Sequence, residues 1–172
     1  MGRSGKMLPG PNQMAVSYID RRRAGPRPRT TPTNPHTQLD QIAPRPLQEK
    51  VFSLARGLVG VVVGPSHVSV PGARAFHLPQ CTHPAKAGFM LEREFAHLHP
   101  PRDGSLHMAL PPEIVQTVVD NGWAEYHPLA GKHGLPGNIV MVYGPRDEGE
   151  VEVVGELLRA SHGYACHADG TA

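Results

Sequence analysis

Glycine and proline interrupt this chain so often that a long uninterrupted architecture is ruled out: 19 of each stand among 172 residues. Average chains carry about 12% of the two combined. Such punctuation argues against an all-helical bundle or a coiled coil, and for short elements joined by tight turns. The length suits one domain with an appendage. The longest apolar run, Leu58 to Val63, is far too short to cross a bilayer, so no membrane partner is expected. The N-terminus has no apolar signal core. A soluble, cytoplasmic protein is the expectation. Cys81 and Cys166, which belong to no CxxC pair, are accordingly expected as free thiols.

The net charge of +2 hides an asymmetry, because residues 1–50 are strongly basic and the remainder is acidic. The basic part also carries Arg21-Arg22-Arg23, Arg27-Pro28-Arg29 and few aromatics. Such a stretch cannot bury enough apolar area to offset its chain entropy. Residues 1–45 are therefore read as a disordered to extended basic arm, and residues 46–164 as a single folded domain. Residues 165–172 are read as a flexible tail. Without aromatic interleaving, the arginines do not argue for a nucleic-acid partner. The chain leaves a homo-oligomer open.

Pro46, followed by Leu47, Val51, Leu54 and Leu58, predicts an amphipathic helix over about 46–57, closed by Gly57. Short strands are predicted at Val59–Val63, Val68–Val70 and Ala73–Leu78, with residues 79–88 a loop. Phe89–His99 and Ser105–Leu110 flank a five-residue connection and predict a hairpin. A second helix follows Pro111-Pro112 and closes at Asn121-Gly122. Strands are expected at Trp123–His127 and Ile139–Tyr143. A last helix opens with a capping box, Asp147 with Glu150, and is expected to stop at Gly163. Together these predict an α+β domain: a mainly antiparallel sheet with about three helices packed on it.

Eight of the eleven histidines fall between His67 and His133. The hairpin arranges three of them. With residues 100–104 as the loop, His97 lies opposite His107 and His99 beside Ser105. Phe95, His97 and His99 then share one face, and Glu94, Ala96 and Leu98 take the other. Glu94 is therefore discounted as a base acting on the histidine face. Three imidazoles so placed suit a divalent metal ion, a metal-free acid–base pocket, or merely a polar surface. The spacing matches no standard zinc signature, and the following Glu of a cupin is missing. Arg74 and His77 in one strand, Trp123, Glu125 and His127 in another, and Tyr143 with Arg146 are candidates to complete a pocket. No nucleotide-binding, HExxH or G-x-S-x-G motif occurs.

Several segments resemble a bacterial luciferase family of small proteins. They are Arg29 to Gln41, Gly72-Ala-Arg-Ala-Phe-His-Leu78, Arg93-Glu-Phe-Ala-His-Leu-His-Pro100 and Gly104-Ser-Leu-His-Met-Ala-Leu-Pro-Pro112. Gly122-Trp-Ala-Glu125 and Val140-Met-Val-Tyr-Gly-Pro-Arg146 continue the match. The eponymous member is the fungal luciferase, which oxygenates a hispidin-type 3-hydroxy-2-pyrone with O2, releasing carbon dioxide and light. It is thought to need no flavin or metal. That enzyme's N-terminal membrane segment has no counterpart here, so membrane attachment is not carried over. The resemblance implies an oxygenase-like enzyme with a small-molecule substrate and O2 as partners and no required cofactor. His97, His99 and His107 would be catalytic, and Arg74, His77, Trp123, His127 and Tyr143 would bind substrate. Two other readings stay open: a metal-dependent site at His97, His99 and His107, and a non-enzymatic ligand- or protein-binding module. In the last, the arm docks a partner, or lies along the domain with Asn34–Gln38 reaching the pocket.

Overall fold

The computed structural model describes residues 19–166. The parts of the expected arm before residue 19 and of the expected tail after 166 lie outside the described residues. In chain order the elements are α1 (Arg45–Arg56), β1 (Val62–Pro65), β2 (Arg74–His77), β3 (Glu94–Leu98) and β4 (Leu106–Ala109). Then come α2 (Pro112–Asp120), β5 (Ala124–Tyr126), β6 (Ile139–Val142) and α3 (Glu148–Ala165). The strands form one antiparallel sheet in the order β1-β2-β3-β4-β6-β5. This is the predicted α+β arrangement, with three helices among these elements. Val68–Val70 is not a strand but a bent crossing between β1 and β2.

The helices cover one face of the sheet. Helix α3 lies over β3 and β4, α1 packs on α3, and α2 packs on β5. Alternation along each strand sends Phe76, Ala96, Leu98, Leu106, Met108, Val140 and Val142 to this face, where they join Val51, Leu157 and Leu158 in the core. Fully burying a side chain of this size stabilises by about 1.5–3 kcal/mol. Gly155 lets α1 and α3 approach closely, since a Cβ there would stand 3.1 Å from Leu54 Cδ1.

Two details of α3 depart from the sequence reading. The Asp147 side chain accepts the Glu150 N–H at 2.8 Å, as a capping box requires. The return bond is not made, because Glu150 turns instead to Arg23 and to the Arg146 N–H. Gly163 does not stop the helix, which continues to Ala165. Its end is held from outside: the Ala85 N–H donates to the Ala165 carbonyl at 3.0 Å, and Pro84 bridges Cys166. This docking of the 79–88 loop also brings Cys81 to Cys166. They form a disulfide with Cα atoms 5.7 Å apart and are not free thiols. Cys166 is therefore anchored rather than part of a loose tail.

The arm from residue 19 onward lies on its own domain. The Arg23 guanidinium is buried against Glu150 at 3.1 Å, and the Trp123 indole N–H donates to the Arg21 carbonyl. Gln38 accepts the Gly144 N–H at 3.0 Å and donates to the Asp40 and Gln41 carbonyls. The segment that could not bury itself is pinned to the domain at a few buried points, among them Ile19, Arg23, His36 and Gln38, while most of its other residues stay exposed.

Candidate functional site

The face of the sheet away from the helices carries a straight cross-strand row: Ala75, His97, His107, Met141 and Glu125. The expected pairing of His97 with His107 is therefore observed, and the His99 N–H donates to the Ser105 carbonyl. The expected face of Phe95 and Glu94 is reversed. Phe76 pairs with Ala96 but His77 pairs with Glu94, so a β-bulge leaves Phe95 as an extra residue. One extra residue inverts alternation beyond it. Phe95 drops into the core beside Phe76, and Glu94 swings to the histidines. Glu94 is a central partner of the cluster, contrary to the sequence reading.

Five imidazoles converge. The His107 ring centroid lies 5.1 Å from His97, 4.6 Å from His99, 4.7 Å from His127 and 5.3 Å from His36. All but half-buried His127 are enclosed. Four are fixed at one ring nitrogen. His97 Nδ1 meets Glu94 at 2.6 Å, His99 Nδ1 meets Asp103 at 2.6 Å, and His36 Nε2 meets Glu125 at 2.6 Å. His127 Nδ1 accepts the Leu129 N–H at 3.1 Å, so the neutral ring carries its hydrogen on Nε2. His107 has no carboxylate; its Nδ1 lies 3.1 Å from His97 Nε2 and its Nε2 lies 3.2 Å from His36 Nδ1.

The carboxylates are themselves held. Ser66 Oγ and the His67 N–H donate to Glu94, the Ser105 N–H and hydroxyl to Asp103, and the Tyr143 hydroxyl to Glu125. Burial pushes all three carboxyl groups up, but these bonds and the imidazoles outweigh it and hold each below its ordinary range. Burial lowers His97, and it lowers His107 further, with the neighbouring imidazoles adding to the effect. Burial and the same neighbours take His127 to about 4. These three rings resist protonation.

Two adjoining hollows of about 140 and 230 Å³ open over His107 and share Asn34, Val68, His107 and His127. His99, His36 and Ser69 line the first; His97, Met90 and Leu135 line the second. Ser69 Oγ is buried and has no partner among the described residues. A wider groove of about 680 Å³ runs between α1 and α3, but on the helix side and among surface charges such as Glu49, Glu152 and Arg159.

Of the sequence candidates, His97, His99, His107 and His127 are brought together. Tyr143 stands one step out, behind Glu125. His77 lies at the β1 side, its Nε2 3.3 Å from the Pro65 carbonyl, and does not join the cluster. Arg74 is on the opposite face, bound by Glu49 through two bonds and stacked over Phe52 at 3.9 Å. It cannot hold an anion among the histidines. Trp123 belongs to the core rather than to the face of Glu125 and His127. Arg146 serves Glu150. Glu125, a pocket candidate in the sequence, holds His36; His36 and Asp103 are the partners the sequence reading did not select. Asp103 had a faint sign, four residues past His99 inside the hairpin loop.

Residues 92–161 match the family model described as the Luciferase domain. That stretch holds four of the five imidazoles together with Glu94, Asp103 and Glu125; His36 lies outside it. The chain is 43% identical over 76 residues to a luciferase of Armillaria gallica and 42% identical over 76 residues to one of Neonothopanus nambi. The matched part is 42% of this chain and 28% of each of those relatives. No solved structure is a significant match. No helix among the described residues is long and apolar enough to cross a membrane.

Proposed function

We propose that the chain is an oxygenase-like enzyme. Its substrate would be a small enolisable aromatic or 3-hydroxy-2-pyrone-type molecule, bound with O2 in the hollows over His107. The observation that carries this reading is the orientation of the imidazoles. Carboxylates or backbone hold one nitrogen of each outer ring and leave the other uncommitted to them beside His107, and all of these rings but His36 lie in the stretch that resembles luciferases.

That arrangement suits enolate chemistry. A neutral imidazole has a lone pair free to take the enol proton, and the enolate formed beside it offsets the imidazolium charge that burial disfavours. The His127 Nε2–H and the unpartnered Ser69 hydroxyl supply donors for the enolate oxygen. The enolate carbon then gives an electron pair to O2 and forms one C–O bond. The peroxide oxygen recovers the proton, leaving a hydroperoxide. Substrate electrons suffice, so no outside reductant enters.

The test is oxygen consumption by the full chain with a panel of 3-hydroxy-2-pyrones and enolisable phenols. Wild type should consume oxygen with at least one member, and His107→Ala should lose about a hundredfold or more of that rate while keeping its thermal midpoint. No uptake across the panel, or equal uptake by the variant, overturns the reading.

A further inference from the structure

The hydrogen bonds through the cluster do not balance. Glu94, His97, His107, His36 and Glu125 form a chain of four contacts, of 2.6, 3.1, 3.2 and 2.6 Å. Each contact needs one hydrogen, and three neutral imidazoles bring only three. The two carboxylates draw the His97 Nδ1–H and the His36 Nε2–H outward. His97 Nε2 and His36 Nδ1 are left as lone pairs, both facing His107, which has one N–H to offer. One contact therefore sets two lone pairs against each other. A third lone pair arrives independently: Asp103 takes the His99 Nδ1–H, freeing His99 Nε2 beside His107.

We propose that His97, His99 and His107 form a three-imidazole site for a divalent first-row transition ion. Glu94 and Asp103 orient two of the ligands, and the open coordination positions face the hollows. An ion on His97 Nε2, His99 Nε2 and His107 Nδ1 removes the imbalance. His107 then donates its Nε2–H to His36, His36 donates to Glu125, and every contact is made with neutral rings.

Geometry and charge agree. The donor atoms of the three residues lie within 4.8 Å of one another. The 3.1 Å between His97 Nε2 and His107 Nδ1 lies within the roughly 3.0–3.4 Å separating two nitrogens each about 2.1 Å from one ion. Glu94 and Asp103 are buried, and their partners are imidazoles, hydroxyls and backbone N–H groups. A divalent ion offsets that buried charge. A carboxylate behind each ligand is the usual support of a metal-bound histidine. Three imidazoles suit zinc, iron, cobalt, nickel or copper rather than magnesium or calcium. The site rests on the oxygenase reading and changes its base step: with the imidazole lone pairs on the ion, the ion would lower the pKa of a bound enol and the proton would leave to solvent. Ion binding itself does not depend on turnover.

The experiment uses full-length protein purified without an affinity tag and stripped with a chelator. Zn²⁺ is titrated by calorimetry and Co²⁺ by visible absorption. One equivalent should bind with a Kd of about a micromolar or tighter, a Co²⁺–imidazole spectrum should appear, and the thermal midpoint should rise. His97→Ala and His99→Ala should each weaken binding at least a hundredfold. Glu94→Gln, which touches no ion, should weaken it by roughly 10- to 100-fold. His77→Ala, outside the cluster, should change it less than threefold. No saturable binding, or binding that His97→Ala and His99→Ala leave unchanged, overturns the site. Oxygen uptake by stripped protein that shows no saturable Zn²⁺ or Co²⁺ binding would overturn the ion and leave the oxygenase. Tight, triad-dependent binding without uptake on any panel member would do the reverse.

Discussion

Removing the disulfide should cost this protein a large part of its stability without moving the cluster. Cys81 and Cys166 are 85 residues apart, so the bond closes a long loop in the unfolded chain. The chain-entropy relation for a loop of that size gives about 4.6 kcal/mol at 25 °C. The folded state changes little, because the 79–88 loop keeps its own bond from Ala85 to the Ala165 carbonyl. It also keeps the close approach of Gly88, where a Cβ would stand 2.6 Å from Ala165 Cα. Equilibrium urea unfolding of oxidised wild type and of the Cys81→Ser/Cys166→Ser double variant measures the difference. With a urea slope of about 2 kcal/mol per molar, the midpoint should fall by roughly 2 M. Thiol titration of unfolded, unreduced wild type should find none at these two positions. A midpoint shift below about 0.5 M, or two titratable thiols in the unreduced protein, would refute the reasoning.

Glu150→Ala leaves the Arg23 guanidinium buried without its carboxylate, and should cost about 3–5 kcal/mol in urea unfolding. Burial pushes Glu150 up, but Arg146 and Arg23 hold it below its ordinary 4.5, so its contribution is complete above that pH. The stability gap between wild type and Glu150→Gln should hold steady from about pH 5 to 8, then shrink as pH falls through the depressed folded value. Gln38→Leu strips the Gly144 N–H of its acceptor and should cost about 1–3 kcal/mol, with faster amide exchange at Gly144. Phe95→Ala removes the bulged ring from the core and should cost about 3–5 kcal/mol by the same assay.

The pairing of His97 with His107 was legible because a five-residue loop and strict alternation leave one symmetric register. The face of Glu94 was not, because a bulge is decided by the neighbouring strand: β2 skips Phe95 so that its ring can fill the core between Phe76 and His162. Arg74 failed for a related reason. Its side of β2 is set by the pairing with Leu98, and no motif within β2 announces that register. The disulfide was hidden by sequence distance, since only the docking of the 79–88 loop against the end of α3 makes the two sulfurs neighbours. His36 sits in a stretch whose composition argues against folding alone, and it is ordered by Glu125, His107 and the arm's anchors. The Asn34–Gln38 turn was rightly placed near the pocket, but the residue that matters there was not singled out.

The cleft has a floor from the hairpin and a wall from the arm, and these belong to parts of the chain held together by separable contacts. A molecule that touches both Asn34–His36 and the hairpin is bound most tightly while the arm is down. Linkage makes the effect mutual: whatever factor in affinity is lost by lifting the arm is returned to the arm's attachment when the molecule binds. Occupancy of the cleft is then readable from outside it, as slower proteolysis of the exposed turn at residues 32–35.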